Sequence, residues 1–203
     1  MQKVVHKLMS NEVRTLEAGI EVCKQEDAQE MIVEGYALKF NTWSENLGGF
    51  IETISPDALK NTKLEDVRLL FNHDWSNVLA RQTADNLELS IDEVGLRFKA
   101  KLPNTTLGRD LYEQIRANNI NQCSFEFTLE KDGEDIKYDS KESIYKRTVK
   151  AIKRIREISI VSLPAYKTSD VSIALRSIEQ LEKRNQLDLV QAELDLFLFK
   201  NKK

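Results

Sequence analysis

Short runs of alternating apolar and polar residues, bounded by turn residues, make up most of this chain, and a long stretch near its end switches to helical spacing. Alternation over 31–40 and 49–54, with β-branched and aromatic residues at the inward positions, predicts two strands. An apolar run over 67–71 predicts another. Residues 77–102 read as a meander in which 87–91 and 96–100 form a hairpin about Asp92-Glu93-Val94-Gly95. Residues 122–130 return to strand and stop at the Asp132-Gly133 turn, and 144–163 supply one or two more strands, rich in Ile and Val but studded with Lys and Arg. An earlier strand is predicted within 12–22.

Helices are signalled by their starts. Ser55-Pro56-Asp57 places a capping serine, a proline at the first helical position and an acid in the first turn, so a short helix should run to about Asn61. Pro103-Asn104-Thr105 opens a longer one, with Leu107, Leu111 and Ile115 on one face and Asn118-Asn119 ending it. Residues 169–199 read as helix, with Val171, Leu175, Ile178, Leu181, Leu187, Val190, Leu194 and Phe197 forming an apolar stripe. Such a stripe needs a surface, either the chain's own sheet or a partner in an assembly.

Strands in this number with only two internal helices predict an α+β fold, a mostly antiparallel β-barrel flanked by helices with a C-terminal amphipathic helix. A chain of 203 residues holds one domain with a short appendage. The expected division is a charged N-terminal segment over 1–29, the main domain over 30–176 and a helical extension over 177–203. A net charge of −3 gives no electrostatic case for nucleic acid as main partner. No apolar run approaches the ~20 residues that span a bilayer, and the first thirty residues carry no signal-peptide core, so no membrane contact is expected and the chain should stay in the cytosol. Cys23 and Cys123 are expected as free thiols. With His6 and His73 they make a nominal zinc set, but no two lie close in sequence, and structural zinc sites use closely spaced pairs.

Three segments carry candidate chemistry: Phe71-Asn72-His73-Asp74, Gln122-Cys123-Ser124-Phe125-Glu126-Phe127, and Arg156-Glu157-Ile158-Ser159-Ile160-Val161-Ser162-Leu163-Pro164-Ala165. Each lies at or beside a predicted strand. A serine hydroxyl becomes nucleophilic when an imidazole takes its proton, and a third group can orient that imidazole. His73, Ser124 and Glu157 are the residue types for those roles. Alternation puts Ser124, Glu126 and Thr128 on one side of their strand and Cys123, Phe125, Phe127 and Leu129 on the other, so the rival nucleophile Cys123 reads as core. Glu157 shares a face with Ser159, Val161 and Leu163, and is either a partner for His73 or an exposed acid beside Arg154 and Arg156. Asp74 is the other candidate for orienting His73, although an adjacent strand residue points the opposite way.

In wording and order these segments resemble the tailed-phage prohead protease family, the serine endopeptidases that mature viral capsids. The resemblance spans roughly 30–176 and also takes in Val33-Glu34-Gly35-Tyr36-Ala37, the stretch from Phe50 to Leu59, and Arg109-Asp110-Leu111-Tyr112. It implies a fold like herpesvirus assemblin, a catalytic set of His73, Ser124 and Glu157, and no cofactor or metal. Assemblin-like enzymes use a second histidine as third member. This sequence offers none, so an acid must serve. They are thought to stabilise the oxyanion through a backbone amide and an arginine-linked water, which places Arg154 and Arg156 in the right vicinity. The implied partners are the major capsid protein, its scaffolding segment and a second copy of the chain. The implied location is the assembling prohead in the cytoplasm of a bacterial host, the gene being a phage's or an integrated prophage's. Glu126 departs from the family, which often has a small residue there; it lowers activity, favours basic substrates, or faces solvent. The alternative function is a non-catalytic capsid-assembly module on the same fold.

Overall fold

A computed structural model describes residues 11–16, 20–22, 30–162 and 172–200. His6, Cys23 and the Leu163-Pro164-Ala165 piece of the third segment lie outside the described residues. The strands, in chain order, are β1 Glu12–Leu16, β2 Glu21–Val22, β3 Ile32–Lys39, β4 Phe50–Ile54, β5 Arg68–Phe71, β6 Asp74–Arg81, β7 Leu87–Ile91, β8 Gly95–Lys101, β9 Gln122–Leu129, β10 Glu134–Asp139, β11 Ile144–Val149 and β12 Ile152–Val161. Helix α1 spans Thr106–Arg116 and α2 spans Ser172–Lys200.

The expected starts act as predicted. Ser55 accepts the Asp57 N–H at 3.4 Å and opens a single 3-10 turn, Pro56–Leu59. Thr105 caps α1 through the Gly108 N–H at 3.1 Å. Glycine is required at 108, because a Cβ there would stand 2.1 Å from the Pro103 carbonyl oxygen. Most other tight turns use Asn or Asp: Asn41, Asp66, Asn72, Asp85, Asn118 and Asp132 all have positive φ, joined by His73 and Ser143.

The α+β class holds, with strands dominating, but no closed barrel forms among the described residues. The strands lie in three sheets, ordered β1-β9-β12-β5-β6, β10-β11-β4 and β2-β3-β8-β7. Each sheet ends in edge strands that do not pair with one another. Two pairings are parallel, β12 with β5 and β11 with β4, so the chain crosses over instead of following a simple meander.

The main core lies on one face of the five-stranded sheet. Cys123, Phe125 and Phe127 of β9 and Ile155, Ile158 and Ile160 of β12 meet Val33, Ala37, Phe98 and Ala100 of β3 and β8, with Leu111 and Ile115 of α1. A smaller apolar cluster joins Leu47 and Phe50 to Ala174 and Ile178 of α2. Between the two lies a buried ion cluster. Arg147 of β11 is fully buried and donates to Glu12 at 2.7 and 2.8 Å, to Glu134 at 2.7 Å, and to Glu52. Arg14 of β1 donates to Glu52 at 2.9 Å and to Glu12 at 2.7 Å, with its guanidinium 5.8 Å from the Phe127 ring centroid. Burial alone would raise the Glu52 carboxyl, yet Arg14 and Arg147 outweigh it and hold it below the ordinary value. The cluster thereby ties β1 of the five-stranded sheet to β4, β10 and β11 of the three-stranded sheet.

The apolar positions of α2 do not form one stripe. Ile178 packs inward, whereas Leu187, Leu189, Val190 and Leu194 are exposed. Leu187 follows Ile178 by nine positions, about two and a half turns, which carries it to the opposite side of the helix.

Candidate active site

The Phe-Asn-His-Asp segment is a two-residue hairpin between β5 and β6, with Phe71 opposite Asp74 and both central residues at positive φ, 54° for Asn72 and 58° for His73. That conformation matches the twist of the flanking strands and suits Asn at its first position. Asn72 then fixes the hairpin to the end of β12. Its backbone N–H donates to the Ile160 carbonyl at 3.0 Å, its side-chain oxygen accepts the Ser162 N–H at 2.9 Å, and its amide donates to the Ser162 hydroxyl at 3.2 Å. Asp74 is occupied locally, accepting from the Ser76 N–H at 2.8 Å and the Asn77 amide at 2.9 Å. It makes no hydrogen bond to His73.

Glu157 reaches the same place from β12. A bulge makes this possible: Ile155 pairs with Phe127 and Glu157 with Glu126, leaving Arg156 as an extra, unpaired residue. Without it, Ile155 and Glu157 would share a face; with it, Ile155 enters the core and Glu157 faces His73. The Glu157 side chain is wholly buried, and His73 Nδ1 lies 2.6 Å from its Oε1. Glu157 Oε2 accepts the Ser159 hydroxyl at 2.6 Å, and Ser159 Oγ in turn accepts the His73 backbone N–H at 3.2 Å. An ionised carboxylate can only accept, so in the neutral imidazole the proton sits on Nδ1 and the lone pair on Nε2. Nε2 is buried and has no hydrogen-bond partner among the described residues. The imidazole is thus held at its backbone and at one nitrogen, and no described residue holds the other.

Ser124 lies opposite Ser159 on the β9–β12 ladder, two residue pairs along from Glu126 and Glu157, so it shares their face of the sheet. The structure does not join it to His73. Ser124 is fully buried, and its hydroxyl donates to the Arg14 carbonyl of β1 at 2.9 Å. Cys123 points the other way into the core, where burial pushes its thiol far up and leaves no thiolate for chemistry.

Glu126 does not face open solvent. It is half-buried, accepts from Asn11 and, at 3.4 Å, from Arg156 Nη1, and its carboxyl is pushed above the ordinary value first by burial and then by Glu157. The bulged Arg156 also lies over Trp75, 5.3 Å from the ring centroid, with Arg68 at 5.7 Å. Arg154 is exposed.

Two participants were not assigned a role from sequence. Ser159 stood in the third segment, and its position two residues from Glu157 was the available signal. Arg14, whose carbonyl holds the nucleophile candidate, carried none.

An imidazole oriented by a buried carboxylate is an arrangement that serine hydrolases use for the acid–base half of their chemistry. The chain belongs to the caudovirus prohead serine protease family, whose model matches residues 18–184. No curated protein matches it. Among solved structures it is similar to the capsid assembly protease of bacteriophage T4, at 14% identity over 74% of this chain and 98% of that one, with a TM-score of 0.44. That likeness is too loose to bear on the site.

Proposed function

We propose that this chain is a serine endopeptidase of prohead maturation, with His73 as general base, Ser124 as nucleophile and Glu157 as the acid that orients His73. The observation that carries the reading is the 2.6 Å contact between His73 Nδ1 and Glu157, with Nε2 buried and without a hydrogen-bond partner among the described residues, and Ser124 on the same sheet face two residue pairs from Glu157. In the reaction, Ser124 gives up its bond to the Arg14 carbonyl for one to His73 Nε2. Its proton passes to Nε2 as Oγ attacks the scissile carbonyl. Glu157 stabilises the imidazolium, which then protonates the leaving amine. The resulting acyl-enzyme is opened by water, with His73 again the base.

The substrate is an extended protein segment: the scaffolding portion of a phage capsid protein, and the chain's own termini. The partners are the major capsid protein, its scaffold and a second copy of the chain, within an assembling prohead in a bacterial host. One observation favours a second reading, a capsid-assembly module that cleaves nothing: Ser124 is fully buried and its hydroxyl is committed to Arg14.

The test is labelling of the purified chain with a fluorophosphonate serine probe, together with a mass spectrum of capsid protein co-expressed with it. The wild-type chain should label at Ser124 and process its partner. Ser124→Ala should do neither, and Cys123→Ser should do both. A wild-type chain that neither labels nor cleaves decides for the assembly module. Cleavage by Ser124→Ala that is lost in Cys123→Ser inverts the nucleophile assignment.

A further inference from the structure

Glu126 violates two local rules. It stands directly opposite Glu157 across the β9–β12 ladder, where like charges destabilise a sheet. Its carboxylate is also largely withdrawn from water, with 14% of the side chain exposed, yet among the described residues its one cationic partner is Arg156 at 3.4 Å, beside the neutral amide of Asn11. A strand acid with a purely structural role would face solvent or sit in a two-bonded ion pair, as Glu12 and Glu52 do beside Arg14 and Arg147. Departures of this kind concentrate where a protein meets its ligand.

Its position indicates which ligand. Glu126 is two residues from Ser124 on the same strand face, a separation of roughly 7 Å. That is the reach of a long side chain on a residue flanking a peptide bond held at Ser124. Glu157 cannot serve this purpose, because His73 Nδ1 and the Ser159 hydroxyl occupy its two oxygens. The two nearby guanidiniums are engaged elsewhere as well: both lie over Trp75, and Arg68 is paired with Asp66 at 3.3 Å. On Glu126, by contrast, Asn11 and Arg156 both meet Oε1, and no described residue donates to Oε2.

We propose that Glu126 is a specificity-determining residue that selects a substrate carrying lysine or arginine beside the scissile bond. This rests on the protease reading given above. The incoming cation replaces Arg156 on the carboxylate and offsets the repulsion from Glu157, while Arg156 keeps its place over Trp75. The Glu126 carboxyl, raised first by burial and then by Glu157, accords with this, since a cation beside it would lower it again.

The experiment digests a peptide mixture made from denatured bacterial protein with the full chain and maps every cut bond by mass spectrometry, for wild type, Glu126→Gln and Glu126→Lys. In wild type, Lys and Arg should be enriched at one position flanking the cut. Glu126→Gln should slow cleavage at those bonds by about ten-fold, the worth of one charge-assisted contact, and should unfold at the same or a higher temperature. Glu126→Lys should move the preference to Asp and Glu. Equal enrichment in all three chains overturns the proposal, as does an acidic preference in wild type, which would give substrate reading to Arg68 and Arg156. A loss of thermal stability in Glu126→Gln overturns it too, since the residue would then be structural. Fluorophosphonate labelling of wild-type Ser124 keeps the two readings apart. Labelling without the basic preference sinks this inference alone, whereas no labelling and no cleavage sinks both.

Discussion

Replacing Arg147 with methionine tests the ion cluster most directly. The side chain is fully buried and contacts three carboxylates, those of Glu12, Glu52 and Glu134. Methionine fills much of the same space without charge. Glu12 and Glu52 are then left with Arg14 alone, and Glu134 loses the Arg147 guanidinium. Breaking a buried pair from one side typically costs about 3–5 kcal/mol, because the surviving charge stays buried without its partner. Against a total stability of roughly 5–15 kcal/mol that is a large share. With a urea slope of about 2 kcal/mol per molar, the unfolding midpoint should fall by roughly 1.5–2.5 M. Acid should expose the same defect. Glu52 is held below its unfolded value, so its contribution is present above that value and is lost as pH falls through the folded one. Without Arg147 the folded value rises, and acid unfolding should begin at a higher pH than in the wild type. Circular dichroism across urea and pH series measures both effects. A midpoint shift below ~0.3 M would refute the reasoning, since it would mean that water or side-chain rearrangement neutralises the cluster as well as the guanidinium does.

Two further outcomes follow from the site and from α2. Glu157→Gln should leave cleavage slow but measurable, by analogy with the loss of up to ~10⁴ when a triad acid becomes an amide; full activity in peptide turnover would remove Glu157 from the site. A chain ending after Glu182 keeps Ile178 in its cluster and the 2.8 Å bond from the Tyr145 hydroxyl to Glu182, and loses Leu187, Leu189, Val190 and Leu194. It should stay folded and retain probe labelling while its oligomeric state changes in size exclusion with light scattering. An insoluble product would instead make the distal helix part of the core.

The central strands were legible because both periods of their pattern are clean. β3, β8 and β9 alternate about a buried face, and the structure places them within a residue or two of expectation. β10, Glu-Asp-Ile-Lys-Tyr-Asp, was not predicted, because an edge strand is polar on both sides and resembles a loop. Sheet closure could not be read either, since strand count does not say which edges meet. At the site, the residue types and the turn chemistry of Asn72-His73 were visible. The bulge at Arg156 was not: a single extra residue leaves no mark in a charged, irregular strand, yet it decides which way Glu157 points. The ion cluster was missed for a related reason, because Glu12, Arg14, Glu52 and Arg147 carry the charges that normally mark a solvent face. In α2, the apolar residues were assigned to one stripe although nine-residue spacing turns the helix by half a revolution.

The turns have a consequence for the unfolded chain. Only seven glycines occur in 203 residues, and Gly48 and Gly49 are the described ones at positive φ, while Asn and Asp take most of the left-handed positions. Asn and Asp roam less conformational space than glycine when unfolded, so ordering these corners forfeits less entropy, on the order of 0.4–1 kcal/mol per site. Their short polar side chains also tolerate the left-handed region with little strain. A glycine installed at Asn41, Asp85 or Asp132 to loosen a loop would therefore act largely on the denatured ensemble. Position 73 differs from these. Glycine would relax the backbone there, but it cannot supply an imidazole, so the hairpin keeps a histidine in a conformation histidine seldom adopts, and the attachment of Asn72 to Ser162 and Ile160 holds it there.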